Sequence, residues 1–460
     1  MTLSLPSDRP DGLNFGLSTL TPLASPMTAD TLSRHPDDRY SVLARGWGSD
    51  VEDLTGVAAR GRRAVPGWPD LQPEGPGRWD RAALRRVEAA VDEILAQGLR
   101  PEITLSDNDV PRWLDERGGW RIRETALRYA DFAEQLGRRI GDRVSRWVTT
   151  PELASLVTDH VAGMRPPSRG GGPRGLAALH HALLGGGLAD QALRAAAVTG
   201  RVGAAVPLFG AYPATDDPYD RLAADDFEQW AVRLFTDPLL TGHHMAPEGL
   251  DAGRPLNPAT LAERPGDMST ISRRPDFLTL HWQVPCWVTV PENLPRTVPA
   301  QGRYRPLLEA NRLLARLGFA LVPSDDLEAN SIGLPVMPEA IADAVARLQQ
   351  QYGPLLPPLD IVDRGKGDLG PGKRAQHLKS QLFWLSRLVD EGLRLEGFGY
   401  LAVTDDTAWK LSYAQAYGRA KAAVPPDPLP ALPCEWASTG PFKERPRPVR
   451  PGSPVVLLGD

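Results

Sequence analysis

Cysteine is nearly absent: Cys286 and Cys434 are the only two in 460 residues. Two thiols so far apart make neither a disulfide framework nor a zinc cluster. Long apolar runs are missing as well, and none approaches the roughly 20 residues that a membrane span needs. The first ten residues, MTLSLPSDRP, lack the basic and apolar regions of a secretory signal. A soluble, cytoplasmic protein without a membrane partner is therefore expected. Positive charge is nowhere concentrated, and the formal net charge is −5, which leaves no footprint for nucleic acid. Histidine is sparse, with eight residues, and none falls in an H-E-x-x-H pattern. No metal centre and no cofactor are expected on that basis. His180 and His181 read as packing or surface residues of a helix, and His243 and His244 as loop residues.

What the chain does have is alternation. Asp80 is placed to cap a helix through Leu84, Val87, Val91 and Leu95 that stops near Gly98. A strand follows at 101–105, a helix at about 121–139, and a strand at 144–150. A long helix is expected at about 174–198, a strand at 202–209 and a helix near 224–235. A loop-rich insertion at about 241–273 precedes the strand 276–282. Helices near 305–317, 338–352 and 373–393 then flank strands near 358–363 and 397–404. Repeated β-then-α order predicts a parallel sheet, and about eight such units predict a closed (β/α)8 barrel, residues 1–424, as a single domain. Ten prolines between 425 and 460 forbid a long helix there, so an extended proline-rich tail is expected.

A barrel of this type carries its chemistry at the C-terminal ends of its strands. That rule selects Arg63, Asp107, Asn108, Glu152, His281, Trp282, Asp363 and Trp409. Each has a structural alternative: a rim ion pair for Glu152, a partnership with Arg63 for Asp363, a turn cap for Asp107, and plain wall packing for the tryptophans.

Several segments share a pattern. Leu105 to Trp120 reads L-S-D-N-D-V-P-R-W-L-D-E-R-G-G-W, and Trp147 to Leu153 reads W-V-T-T-P-E-L. Leu179-His-His-Ala-Leu183, Asp276-Phe-Leu278, Tyr352-Gly-Pro354 and Asp360-Ile-Val-Asp-Arg-Gly365 follow in order. In that order and spacing they resemble family 1 glycoside hydrolases, the β-glucosidases and their relatives, over residues from about 13 to 418. The resemblance implies that Glu152 stands for the general acid/base and Asp363 for the nucleophile, which is a glutamate in the family. Arg63 matches the arginine beside that nucleophile. The sugar-gripping positions differ. Leu23 stands for a glutamine, Asp107-Asn108 for His-Trp, and Pro151 for the asparagine that contacts the 2-hydroxyl. Leu401 stands for a tryptophan and Ala408 for the glutamate that holds the distal hydroxyls, whereas Trp409 is retained.

These departures set the chemical expectation. Retaining glycosidases hold their two carboxyls about 5–5.5 Å apart and inverting ones about 6.5–9.5 Å apart. Aspartate is shorter than glutamate by about 1.5 Å, one carbon–carbon bond, which disfavours a covalent glycosyl-Asp363. If the two carboxyls face one another in a dry pocket, one is expected to stay protonated while the other ionises. The expected function is acid/base chemistry on a hydrophobic small molecule in specialised metabolism, by cyclisation, acetal or ketal C–O chemistry, elimination or epimerisation. Arg63, Asp107, Asn108, His281, Trp282 and Trp409 are expected to line the substrate. Hydrolysis of an unusual deoxysugar conjugate accounts for the same replacements, as does a barrel that has lost catalysis.

Overall fold

The computed structural model describes residues 61–106, 110–156, 173–244, 261–294, 305–324, 329–330, 333–363 and 371–400, together with strand 20–22. The expected tail at 425–460 lies outside the described residues.

Eight parallel strands form the frame: β1 (Leu20–Pro22), β2 (Gly61–Val65), β3 (Arg100–Thr104), β4 (Arg146–Val148), β5 (Arg201–Pro213), β6 (Leu278–Thr289), β8 (Leu359–Asp363) and β9 (Leu395–Tyr400). They pair in the order β1-β2-β3-β4-β5-β6-β8-β9, and the short β7 (Ala320–Val322) pairs antiparallel with β6. Between them run α1 (Arg81–Ala96), α2 (Arg123–Ile140), α3 (Pro173–Ala195), α4 (Pro218–Glu228), α5 (Leu234–Thr241), α6 (Asp267–Ile271), α7 (Arg305–Leu314), α8 (Ala340–Tyr352) and α9 (Pro371–Asp390). This is the (β/α)8 barrel that the alternation predicted. No helix among the described residues is long and apolar enough to cross a membrane.

Local chemistry sets the helix starts. The Asp80 carboxylate accepts from the amides of Ala82 and Ala83 at 2.7 and 2.9 Å, satisfying two donors that the first turn leaves open. Asp217 caps α4 in the same way, with Pro218 at its first position, where a missing amide hydrogen costs nothing. The buried faces of α1 and α2 carry Leu84, Val87, Val91, Tyr129, Phe132 and Leu136, and pack on the outward side chains of the strands.

Side chains alternate along each strand between the helix layer and the barrel interior. The interior row is identified by ion pairs between strands that are not neighbours. Arg146 on β4 reaches Asp360 on β8 at 2.7 Å, and Arg63 on β2 lies 3.7 Å from the same carboxylate. Arg63 also pairs with Glu102 at 3.1 Å, and Glu396 on β9 takes Arg146 at 3.4 Å and Arg201. Above this charged floor the Arg146 guanidinium stacks on Phe277 at 3.9 Å, which packs with Val148 and Ala205 in a small core of its own. Gly203 is required here, because a Cβ would sit 2.5 Å from the Phe277 carbonyl oxygen.

Candidate active site

β4 ends in a way that aims Glu152. The Thr149 amide still bonds Gly203 in the neighbouring strand at 2.9 Å. The Thr150 hydroxyl then replaces a backbone partner, donating to the Ala205 carbonyl and accepting from the Ala205 amide, each at 2.7 Å. Pro151 removes the next amide hydrogen, so regular pairing stops. Glu152 follows and begins the short helix Leu153–Leu156, where its Oε1 accepts from the Ala154 amide at 3.3 Å. Its Oε2 lies 3.0 Å from Nδ1 of His281, and both side chains are buried.

His281 belongs to the interior row. Thr279 is in register with Asp360, and His281 with Val362, so His281 stands two residues, about 6.6 Å, above the charged floor. The acid expected after β4 and the histidine expected on β6 therefore meet inside the barrel mouth. Their pairing is the part of the site that the sequence did not show, because 129 residues separate them.

The other candidates take different places. Asp363 is the last residue of β8 and is buried, but it is in register with Trp282 rather than with His281. Residues in register on parallel neighbours share a face, so alternation starts Asp363 on the face opposite His281. Trp282, expected to wall the substrate, is buried and belongs to the main apolar core together with Leu208 and Leu280. Arg63, expected at the substrate, holds Glu102 and Asp360 on the floor. Asp107, Asn108 and Trp409 lie outside the described residues, as do Leu23, Leu401 and Ala408.

Burial pushes the Asp360 carboxyl up to about 6, against the pull of Arg146 and Arg63 and with the help of Glu102. A second polar cluster sits in the helical layer. Burial alone would raise Asp267, but hydrogen bonds from Arg123, His180 and the Arg264 amide outweigh it and hold the carboxyl far below the usual range. His181 Nδ1 donates to the Trp120 carbonyl at 3.0 Å, and its burial lowers it to about 4.

The profile of glycosyl hydrolase family 1 matches residues 38–421. The chain belongs to that family. Among family 1 relatives, β-glucosidase A of Acetivibrio thermocellus is 25% identical over 390 residues, covering 80% of each chain. The thermostable β-glucosidase B of Thermobispora bispora is 28% identical over 396 residues, covering 83% of this chain and 76% of the relative. Among solved family 1 structures, the psychrophilic β-glucosidase BglU of Micrococcus antarcticus superposes with a TM-score of 0.67 at 26% identity, covering 85% of this chain and 88% of that one. The family 1 β-glucosidase of Thermotoga maritima gives a TM-score of 0.67 at 23% identity, with 86% and 88% coverage. These likenesses match the resemblance carried by the motifs from Leu105 to Gly365.

Proposed function

We propose that this family 1 member is an acid/base enzyme for C–O bond chemistry at an acetal-like carbon of a small molecule poorer in hydroxyls than glucose. The observation that supports it is the buried 3.0 Å contact between Glu152, just past the end of β4, and His281, in the first half of β6. A carboxyl and an imidazole at that distance hold one mobile proton between them. Such a unit can deliver a proton to a leaving oxygen and take one back from water or from a substrate hydroxyl.

Asp363 serves in this reading as a second carboxylate acting through its charge. Its short side chain and its register with Trp282 both argue against a covalent bond to substrate. A sugar ring held by specific hydroxyl contacts is disfavoured by Leu23, Pro151, Leu401 and Ala408, which offer no polar side chain where the family grips hydroxyls. A site built to bind a hydroxyl rejects the analogue lacking it by about 10⁴–10⁵-fold. This site is expected to do nothing of the kind.

The test is a set of nitrophenyl β-glucosides and their deoxy counterparts lacking the distal hydroxyls. Values of kcat/KM for the two series should agree within about tenfold, a difference of roughly 1.4 kcal/mol, or favour the deoxy series. Strong preference for the full glucoside would defeat the proposal. Failure to turn over any member, with wild-type and Glu152→Gln protein alike, would favour a barrel without catalysis.

A further inference from the structure

The polar cluster of the helical layer has the make-up of a metal site. His180, in α3, is fully buried, and its Nδ1 lies 3.1 Å from Nε2 of His244. Its other nitrogen, Nε2, lies 2.9 Å from Oδ2 of Asp267. Asp267 is in turn fixed by both terminal nitrogens of Arg123, one at 2.6 Å, and by the Arg264 amide at 2.9 Å. Glu263 completes the group: ligand atoms of His180, His244 and Glu263 all lie within 4.8 Å of one another.

We propose that His180 Nδ1, His244 Nε2 and a carboxylate oxygen of Glu263 bind one divalent cation of the zinc type. Three features carry this. First, Zn–N bonds of about 2.0–2.1 Å at a tetrahedral angle set two ligand nitrogens about 3.3 Å apart, close to the observed 3.1 Å. Second, the donor set of two imidazoles and one carboxylate suits zinc and leaves a fourth position for water. Third, the outer partner is already built. With its Nε2–H donated to Asp267, His180 keeps the Nδ1 lone pair directed at the ion, and Arg123 orients the carboxylate that does this. A plain imidazole–imidazole hydrogen bond accounts for the short contact alone; it gives no role to Glu263 or to the Arg123–Asp267–His180 relay.

The site shares no residue with the Glu152–His281 unit. His244 and Glu263 bracket residues 245–262, so one ion would tie both ends of that segment to the first half of α3. The sequence hid the site because the ligands come from a helix and from both ends of a long insertion, without a compact motif.

The experiment uses the full chain, stripped with chelator and titrated with Zn²⁺ by calorimetry and with Co²⁺ by absorption spectroscopy. One ion per chain is expected, with the visible bands of a tetrahedral Co²⁺ centre and a rise in melting temperature. His244→Ala and Glu263→Gln should each weaken binding by more than the ~10–100-fold typical of losing an outer partner. Glu263 is only partly buried, so its variant keeps the fold, verified by circular dichroism, even where His244→Ala does not. Absence of stoichiometric binding, or binding unchanged in Glu263→Gln, overturns the proposal.

Discussion

Glu152→Gln is expected to lower kcat/KM by about 10²–10⁴-fold on any substrate whose leaving oxygen needs a proton, the usual contribution of a positioned general acid or base. Glutamine preserves the size of the side chain and the Ala154 amide contact, so the fold at the end of β4 survives. What disappears is the proton shared with His281 across 3.0 Å. Asp363→Asn is expected to cost only about tenfold, near 1.4 kcal/mol, the size of a through-space charge effect. Steady-state kinetics on the two variants checks the ordering. A larger loss at Asp363, or an intact-mass adduct attached to it, would show that Asp363 forms a covalent bond and that the division of labour proposed here is wrong.

Arg146→Met is expected to destabilise the protein by about 3–5 kcal/mol at pH 8, the usual result of removing one partner from a buried ion pair. Arg146 lies 2.7 Å from Asp360 and 3.4 Å from Glu396. Methionine retains contact with Phe277 but leaves both carboxylates to Arg63 and Arg201. The cost should depend on pH, with a definite sign. Asp360 has a folded value of about 6 against 3.8 for the free side chain. A raised carboxyl favours the native state below the unfolded value, and that contribution is lost as pH rises through the folded value. Removing the nearest cation raises the folded value further. The variant should therefore recover stability as pH falls from 8 to 5, with Asp360 protonating and its charge no longer stranded. Urea midpoints of wild type and variant at the two pH values measure this; an equal gap at both would show that Asp360 stays ionised throughout.

The barrel was legible in the sequence because each unit carries its own signal. α1 has an acidic cap at Asp80 and an apolar stripe at helical spacing, and β8 is a short run in which Leu359, Ile361 and Val362 are apolar, following Pro358. Strand ends were less legible. β5 and β6 were expected to stop at 209 and 282, yet they reach Pro213 and Thr289. Beyond the barrel mouth the two continue as a ribbon, with a register shift between Leu208 and Gly210, and β7 adds to its edge. A Pro at 285 inside that run disguised it as a terminator. The helix expected near 224–235 is instead α4, a wider five-residue turn at Gln229–Arg233, and α5 with Pro238 inside it. Periodicity blurs where the pitch changes.

The site divided along the same line. Position along a strand singled out Glu152 and His281 as candidates, and the structure brings the two side chains into contact. Which side chains meet is a matter of facing, and a single residue of register reverses it. That is why Trp282 went to the core and why Asp363 begins opposite His281. For a similar reason the sequence suggests only a packing or surface place for His180: its partners Asp267 and His244 lie 87 and 64 residues away.

The central claim is proton transfer by the Glu152–His281 unit. Its sharpest measurement is kcat/KM of wild type and Glu152→Gln across aryl deoxy-β-glucosides of graded leaving-group acidity. The deficit of the variant should be large for phenol and nearly vanish for dinitrophenol, which departs without a proton. A deficit of the same size across the whole series would contradict it.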